Sequence, residues 1–310
     1  MIIDLYIDMF APSSMEVTAL PQEIVDFIID FFKDCTDDLK NCSLVSTSWT
    51  PASRRHLFRT LTLGRTYHGA NLSRSPSFLQ QFHQLDEILE KTPYIAEQCI
   101  RCVKLRFESY ALALTRTTYH EETNSMLGKV LARLAQVEEF RLSLGNWASY
   151  PREAKHTIYA AIRQPFVSRL SILDSNFHSF SDFASLLIHS PSLKHLTVAD
   201  LHFYNSALGD TSHLPTAVVH LEYLKMDTHF HCFVPAFLDS AFPIRFDHLR
   251  QLSLSLPAGH DVCELTNQLI KKTVTSPLHL ELSESPYYCQ GKLIKYTSRT
   301  ELTSCFSFSQ

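Results

Sequence analysis

The residues with the clearest chemical potential are cysteines and histidines that stand close together in two places. Cys99 and Cys102 form a C-x-x-C pair, a spacing used by zinc sites and redox motifs. His229, His231 and Cys232 place three potential metal ligands within four residues. Neither group has a second ligand cluster at the spacing of a zinc finger, and the cysteine pair opens a predicted strand. We therefore predict no metal site, no cofactor and no catalytic residue.

Motifs of other enzyme classes are also missing from the sequence. The chain contains no G-x-S-x-G, no phosphate-binding glycine loop and no H-E-x-x-H, and its seven glycines leave little material for tight catalytic turns. A hydrolase or metal enzyme built on the cysteine pair or the histidine cluster is the weakest of three hypotheses. We predict that the protein is not an enzyme.

Composition excludes several further classes. At 310 residues and 45% hydrophobic content the chain is long enough to bury a full core. Its formal charge of -4 argues against nucleic-acid binding, and no apolar run approaches the roughly 20 residues of a membrane helix. The apolar start of the chain carries Asp4 and Asp8 and no basic residue, so it does not fit a signal peptide. Eight cysteines without framework spacing indicate reduced thiols, so we predict a cytoplasmic or nuclear protein.

A repeated pattern dominates the chain after residue 58. The pattern is φxxφxφ, where φ is apolar, and it occurs seven times with an eighth, degraded copy. The central apolar residues of the copies are Leu61, Val103, Phe140, Leu170, Leu196, Leu224, Leu252 and Leu280. From Leu170 onward they are separated by 26, 28, 28 and 28 residues, whereas the earlier spacings of 42, 37 and 30 are longer.

This period is typical of a leucine-rich repeat, in which each strand is followed by a helical or irregular return. Helical apolar spacing between the strands supports that interpretation, for example over 121–135, 152–163 and 181–189. Strands that alternate with helices of this length predict an α/β fold with a parallel sheet. The asparagine that often completes such a repeat is missing from most copies, so we expect irregular, leucine-rich-repeat-like units forming a solenoid.

The same pattern predicts which side chains form the exposed face of the sheet. The first, fourth and sixth positions face the core, so the third, fifth and seventh project from the other face. This face is basic in the early strands and mixed later, with one aromatic residue near its middle. Arginine and tyrosine dominate binding hot spots, which favours a protein-docking surface over an ordinary solvated sheet face. The predicted substrate-binding residues are Lys104, Arg106, Arg141, Arg169, His195, Tyr223 and Lys225.

The stretch from Leu20 to Phe58 predicts three short helices with more apolar surface than they can bury among themselves. We expect the first to begin with Pro21 at its first helical position and to run to about Lys33. Two neighbouring apolar faces follow its spacing, one with Ile24, Ile28 and Phe31 and one with Val25, Ile29 and Phe32. A second helix is expected from Asp37, and a third with Thr50 as its cap and Pro51 at its first position.

This stretch resembles an F-box. The similarity lies in L-P-x-E-I from Leu20 to Ile24, D-L-x-x-C-S-L-V-S-x-S-W from Asp38 to Trp49, and R-H-L-F from Arg55 to Phe58. The closest resemblance is to the F-box proteins of mushroom-forming fungi, in which irregular leucine-rich repeats follow the F-box. The resemblance implies that the helices bind a Skp-type adaptor, and through it a cullin ligase, while the repeats hold a protein substrate for ubiquitin transfer. The motif's apolar positions, which the resemblance makes adaptor-binding, are Leu20, Pro21, Ile24, Ile28, Leu44, Val45 and Trp49.

The predicted organisation has four parts: a tail (1–18), the F-box-like helical element (19–60), the leucine-rich-repeat-like domain (61–285) and a C-terminal segment (286–310) that fits no repeat. The function expected from it is substrate recognition within an SCF-type ubiquitin ligase, without nucleic-acid or membrane partners. The alternative is a non-degradative repeat scaffold in which the helices only cap the solenoid.

Overall fold

The computed structural model describes residues 20–64, 78–106, 117–205, 218–227, 234–239, 242–256, 268–271, 279–284 and 293–296. The chain divides into two compact units, Met1–Leu57 and Phe58–Gln310. The predicted tail (1–18), the histidine cluster at 229–232 and most of the C-terminal segment (286–310) lie outside the described residues. Each unit is described separately below.

Three helices make up the described part of the first unit: α1 (Gln22–Phe31), α2 (Thr36–Val45) and α3 (Thr50–Leu57). Val25 and Ile29, one turn apart on α1, are completely buried, and they cluster with Leu39, Cys42 and Ala52 from the other two helices. The face of α1 predicted to carry Val25 and Ile29 is thus the face that packs inward. Among the described residues, the neighbouring stripe of α1 keeps Ile24 and Phe31 exposed.

All three predicted helix starts are wrong by one position, and α2 begins at Thr36 instead of Asp37. Pro21 has a ψ of 141°, so it is the residue before α1, and its carbonyl accepts the N–H of Val25 at 3.2 Å. Thr50 is the first residue of α3, and its hydroxyl donates to the carbonyl of Ser43 at 2.9 Å instead of capping its own helix. The end of α2 is therefore tied to the start of α3, because this hydroxyl satisfies one of the carbonyls that α2 leaves unpaired.

The second unit is built on a sheet of nine strands whose spatial order follows the chain. The strands are β1 (Thr60–Gly64), β2 (Cys102–Arg106), β3 (Glu139–Asn146), β4 (Arg169–Ser179), β5 (His195–Asn205), β7 (Tyr223–Met226), β9 (Gln251–Leu256), β10 (His279–Glu284) and β11 (Leu293–Tyr296). The first eight run parallel, and β11 pairs antiparallel with β10. Two short strands, β6 (Val219–His220) and β8 (Ile244–Arg245), form a separate parallel pair. The prediction of an α/β chain with a mainly parallel sheet is confirmed.

The register of the sheet follows the sequence pattern residue for residue. Each central apolar residue pairs with the central residue of the next copy, from Leu61 opposite Val103 to Leu252 opposite Leu280. All of these residues are buried except Leu61, which is half-buried. A slip of one residue would expose the whole apolar row, because side chains alternate between the two faces, so the hydrophobic pattern fixes the register.

The helices between the strands supply the other half of the core. They are α4 (Phe78–Lys91), α5 (Thr117–Arg133), α6 (Arg152–Ile162), α7 (Phe180–Ile188) and α8 (Val234–Leu238). Each buries an apolar stripe, for example Phe82 and Leu89 on α4 and Phe183 and Leu187 on α7. The helix predicted over 121–135 begins four residues earlier, at Thr117, and α7 begins after Ser179, whose hydroxyl accepts the N–H of Asp182.

One buried acidic residue lies between α4 and α5. Asp86 accepts hydrogen bonds from Lys129 and, at 2.9 Å, from the Nε of Arg133. The hydrogen bond from Lys129 lowers the pKa of Asp86 against the opposing effect of burial, and Arg133 lowers it further. Because both cations come from one helix and the carboxylate from the other, the pair of helices is joined by charge as well as by apolar packing.

Candidate binding surfaces

The helical unit carries several exposed apolar side chains, on α1, on α2 and just before α1. Ile24 is 46% exposed and Leu44 is 83% exposed. We call this set the apolar face, and its exposed members are Leu20, Ile24, Phe27, Phe31, Leu44 and Val45. Monomeric proteins seldom leave several large apolar side chains exposed together, so such a surface is typical of an interaction site.

Of the residues predicted to bind an adaptor, most lie on this surface. Ile28 is only half-buried, so part of its side chain is accessible, whereas Pro21 is exposed. Trp49 differs from the others, since it packs against the helical core and is half-buried. Its role in the isolated unit is therefore at least partly structural.

Sequence reasoning missed Phe27, which is 62% exposed and lies between Ile24 and Phe31 on α1. The ring of Phe27 meets the ring of Phe31 edge to face, with 5.0 Å between the centroids. Their spacing of four residues on a helix was a sufficient signal. A pair of exposed aromatic rings adds more apolar area than any aliphatic pair on this surface.

Polar contacts hold α3 against α1 elsewhere in the unit. Arg55 donates to Asp26 at 2.7 Å, and His56 lies 2.8 Å from the carboxylate of Asp30. Gln22 also donates to Asp26, and this hydrogen bond is the main cause of its lowered pKa, with Arg55 adding to it. These contacts fix the orientation of α1, and with it the direction in which the apolar face points.

The second candidate surface is the exposed face of the sheet. The register brings the predicted substrate-binding residues into two groups. Lys104 lies beside Arg141, while Arg169, His195 and Tyr223 occupy consecutive strands at the same level of the ladder. The remaining two lie two residues further along their strands, Arg106 beyond Lys104 and Lys225 beyond Tyr223.

Part of the positive charge that the sequence predicts for this face is already paired within the protein. Arg141 forms an ion pair with Glu139 on its own strand, and this hydrogen bond is the main cause of the raised pKa of Arg141. Within the described part of the chain, Lys104, Arg106 and Arg169 form no ion pair. The basic charge available to a partner therefore comes mainly from these three residues and from Lys225, which also forms no ion pair with the described residues.

His195 and Tyr223 form the aromatic part of the sheet face. Their ring centroids are 5.7 Å apart and the rings are tilted by 35°. Burial lowers the pKa of His195, and the nearby charge of Arg169 lowers it further, so His195 is mainly neutral at pH 7. The pair thus offers a flat, uncharged contact area beside the basic group.

The surroundings of Cys99 and Cys102 do not favour thiol chemistry. Cys99 ends a short π-helical segment (Ile95–Cys99), Cys102 opens β2, and both are free thiols that are buried. Burial raises the pKa of Cys102, and the charge of Glu139 raises it further. A buried thiol of this kind is a weak nucleophile, because the thiolate is the reactive form.

A cluster that sequence reasoning missed lies beside the pair of strands β6 and β8. Nδ1 of His220 is 3.0 Å from the carboxylate of Asp247, and His248 approaches the same carboxylate to 3.6 Å. Partial burial raises the pKa of Asp247, but the hydrogen bond from His220 and the charges of both imidazoles outweigh it, so this pKa is below its usual value. The signal was present in the sequence, since the two histidines are 28 residues apart, which is one repeat period.

Comparison with protein-family models and with curated proteins finds no match. Among solved structures, a chain in the structure of Chaetomium Mex67:Mtr2 subunits aligns with 46% of this chain and 88% of its own length. The identity is 12% and the TM-score is 0.27, so this similarity carries no argument about fold or function. Among the described helices, none is both long and apolar enough to cross a membrane.

Proposed function

We propose that this protein is an F-box-type substrate-recognition subunit of an SCF-type ubiquitin ligase. In this proposal the helical unit binds a Skp-type adaptor, which links it to a cullin ligase, and the sheet face binds a protein substrate. The protein itself performs no chemistry. It raises the local concentration of substrate lysines near the ubiquitin conjugate that the ligase carries. Such a ligase subunit works in the cytoplasm or the nucleus.

The observation that carries the proposal is the apolar face. Its exposed members coincide with the apolar positions of the F-box resemblance at Leu20, Ile24, Leu44 and Val45. The same helices have a buried cluster of their own in Val25, Ile29, Leu39, Cys42 and Ala52. A unit that packs one stripe and leaves the next one exposed is suited to docking another protein, because the second stripe gains burial only in a complex.

The finer description of the fold belongs to the same proposal. We take the three helices as an F-box-like element and the strand–helix units as a leucine-rich-repeat-like solenoid. The support is the one-to-one agreement between repeat copies and neighbouring strands, in which each unit buries its apolar row only against the next. The irregular early spacings are accommodated by longer connections that contain α4 and α5.

The substrate surface is best suited to an acidic segment that carries an apolar or aromatic side chain. Lys104, Arg106 and Arg169 supply positive charge, and His195 with Tyr223 supplies a flat contact beside Arg169. Arginine and tyrosine together are typical of binding hot spots. The backbone of this face is held by the hydrogen bonds of the sheet. Binding therefore loses little conformational entropy in this protein.

The adaptor interaction is tested by placing a charge on the apolar face. We expect Ile24→Asp to abolish co-purification of the full chain with a recombinant Skp-type adaptor, because the complex would bury the carboxylate without a partner. Ile88→Asp is the matched control, since Ile88 lies on a helix of the other unit and has a similar exposure of 50%. Equal adaptor recovery with Ile24→Asp and with the wild type would refute the adaptor interaction.

The substrate surface is tested separately with the double variant Lys104→Glu/Arg169→Glu. We expect proteins that the wild type retains from a fungal extract to be lost with this variant and kept with Ile24→Asp. The adaptor should be retained by the double variant and lost with Ile24→Asp. If the double variant retains the same proteins as the wild type, the sheet face is not the substrate surface.

The alternative function, a repeat scaffold capped by the helices, makes a different prediction for a deletion. If the helices only cap the repeats, removal of residues 1–57 should unfold the second unit. The separate buried cluster of the helical unit favours the adaptor role. We therefore expect the shortened chain to keep a cooperative thermal transition and its far-UV circular dichroism, and to lose only adaptor binding.

A further inference from the structure

The histidines beside β6 and β8 occupy the same position in consecutive repeat units. His220 directly precedes Leu221 and His248 directly precedes Leu249, which are the first apolar residues of two neighbouring copies of the pattern. The backbones of these units are held together by the β6–β8 pair, in which the N–H of Val219 donates to the carbonyl of Pro243 at 2.8 Å. His220 lies on β6 and His248 follows β8 by three residues, so this strand pair brings the two segments that carry the histidines together.

Asp247 lies between the two imidazoles and faces both. Its Oδ1 is 3.0 Å from Nδ1 of His220, and its Oδ2 is 3.6 Å from Nε2 of His248. The three potential ligand atoms all lie within 4.8 Å of one another, and the imidazole centroids are 5.2 Å apart with the rings at 74°. Ligands of a tetrahedral zinc ion with bonds of about 2.0–2.1 Å are separated by roughly 3.3 Å, so small side-chain rotations would bring all three atoms into coordination.

We propose that His220, Asp247 and His248 bind a divalent transition metal ion, zinc foremost. Two imidazole nitrogens and one carboxylate oxygen form a donor set that suits zinc and is poorly matched to magnesium or calcium, which prefer oxygen alone. The side chains are 49%, 53% and 66% exposed in the order given, so solvent completes the coordination. The site is therefore an open three-ligand site, which binds more weakly than a closed four-ligand site.

Such an ion would join consecutive repeat units outside the main sheet. Its ligands come from β6 and from the segment that follows β8, and these belong to neighbouring copies of the pattern. An ion that binds only the folded chain raises the free energy of unfolding as its concentration exceeds its dissociation constant. The inference does not depend on the proposed ligase function, because it rests on residues outside both candidate binding surfaces.

The experiment is a calorimetric zinc titration of the metal-free full-length protein. We expect the wild type to bind one equivalent of zinc. His220→Ala and His248→Ala should each raise the dissociation constant for zinc at least about tenfold, since even loss of a residue that supports a ligand weakens a metal site that much. Asp247→Asn should also weaken it. His178→Ala is the matched control, because His178 is an exposed histidine outside the cluster, and it should bind zinc like the wild type. All four side chains are exposed, so circular dichroism should show unchanged folding.

Cobalt substitution separates this site from any cysteine site in the chain. Cobalt bound by nitrogen and oxygen gives visible ligand-field bands without the near-ultraviolet charge-transfer band of a thiolate complex. The proposal is overturned if the wild type binds no zinc, if His220→Ala and His248→Ala bind it like the wild type, or if the bound cobalt shows thiolate charge transfer.

Discussion

Truncation of Leu44 to alanine isolates the contribution of the apolar face to a complex. Leu44 is 83% exposed near the end of α2, so its loss removes almost no contact from the free protein. Alanine is also the better helix former, so α2 should be unaffected. Leu44→Ala removes three carbon atoms, and burying each of them in a complex contributes about 0.8 kcal/mol to the free energy of binding. Since about four-fifths of this surface is accessible before binding, covering it contributes about 2 kcal/mol, or roughly a 30-fold change in Kd.

Isothermal titration calorimetry of the full chain with a recombinant Skp-type adaptor measures this change directly. Leu39→Ala is the contrasting variant on the same helix, because Leu39 is buried in the helical core and its loss should cost about 2–5 kcal/mol of unfolding free energy. Ile88→Ala, at a half-exposed site of the other unit, should leave adaptor affinity unchanged. If Leu44→Ala binds the adaptor as tightly as the wild type does, the apolar face is not the contact surface and the argument from exposure fails.

Three further predictions concern the second unit and are read from urea unfolding. Leu196→Ala should cost about 2–5 kcal/mol, because Leu196 is completely buried in the central row of the sheet, whereas Arg169→Ala should change stability by less than about 0.5 kcal/mol. The pKa of Asp86 is lowered in the folded protein, so its ionised carboxylate stabilises the fold fully above the unfolded-state pKa of about 3.9. This stabilisation is lost as the pH falls through the folded-state pKa. The difference in unfolding free energy between wild type and Asp86→Asn should therefore shrink between pH 7 and pH 3. Gly64→Ala should destabilise β1, because Gly64 has a φ of +121° and an added Cβ would meet the backbone oxygen of Arg106; an unchanged midpoint would contradict this.

The sequence predicted strands and helices correctly where apolar residues recur at a regular spacing. The spacing of Leu170, Leu196, Leu224 and Leu252 predicted both the strands and their order, because each unit can bury its apolar row only against the next. The buried face of α1 followed from helical spacing for the same reason. These are local rules repeated along the chain, and no distant contact was needed to apply them.

The misses occurred where the sequence pattern did not show which partner a side chain meets. Thr50 looked like the cap of its own helix, but its hydroxyl reaches the end of the preceding helix. Arg141 was predicted to offer its charge to a substrate, but it forms an ion pair with Glu139. Trp49 was predicted to bind the adaptor, but it packs against the helical core. A one-dimensional pattern gives the face on which a residue lies, but it does not give the partner that the residue meets there.

The sequence alone determined the alternation of strands and helices, the register of the parallel sheet and the surplus of apolar surface in the three N-terminal helices. Tertiary structure decided which of that surface is left exposed, how much of the basic charge on the sheet face is already paired, and that His220, Asp247 and His248 meet at one point. The physical reason is the range of the interactions. Hydrophobic periodicity is set by the geometry of a single helix or strand, whereas ion pairs and ligand clusters depend on angstrom-scale distances between side chains, which form only when the chain is folded.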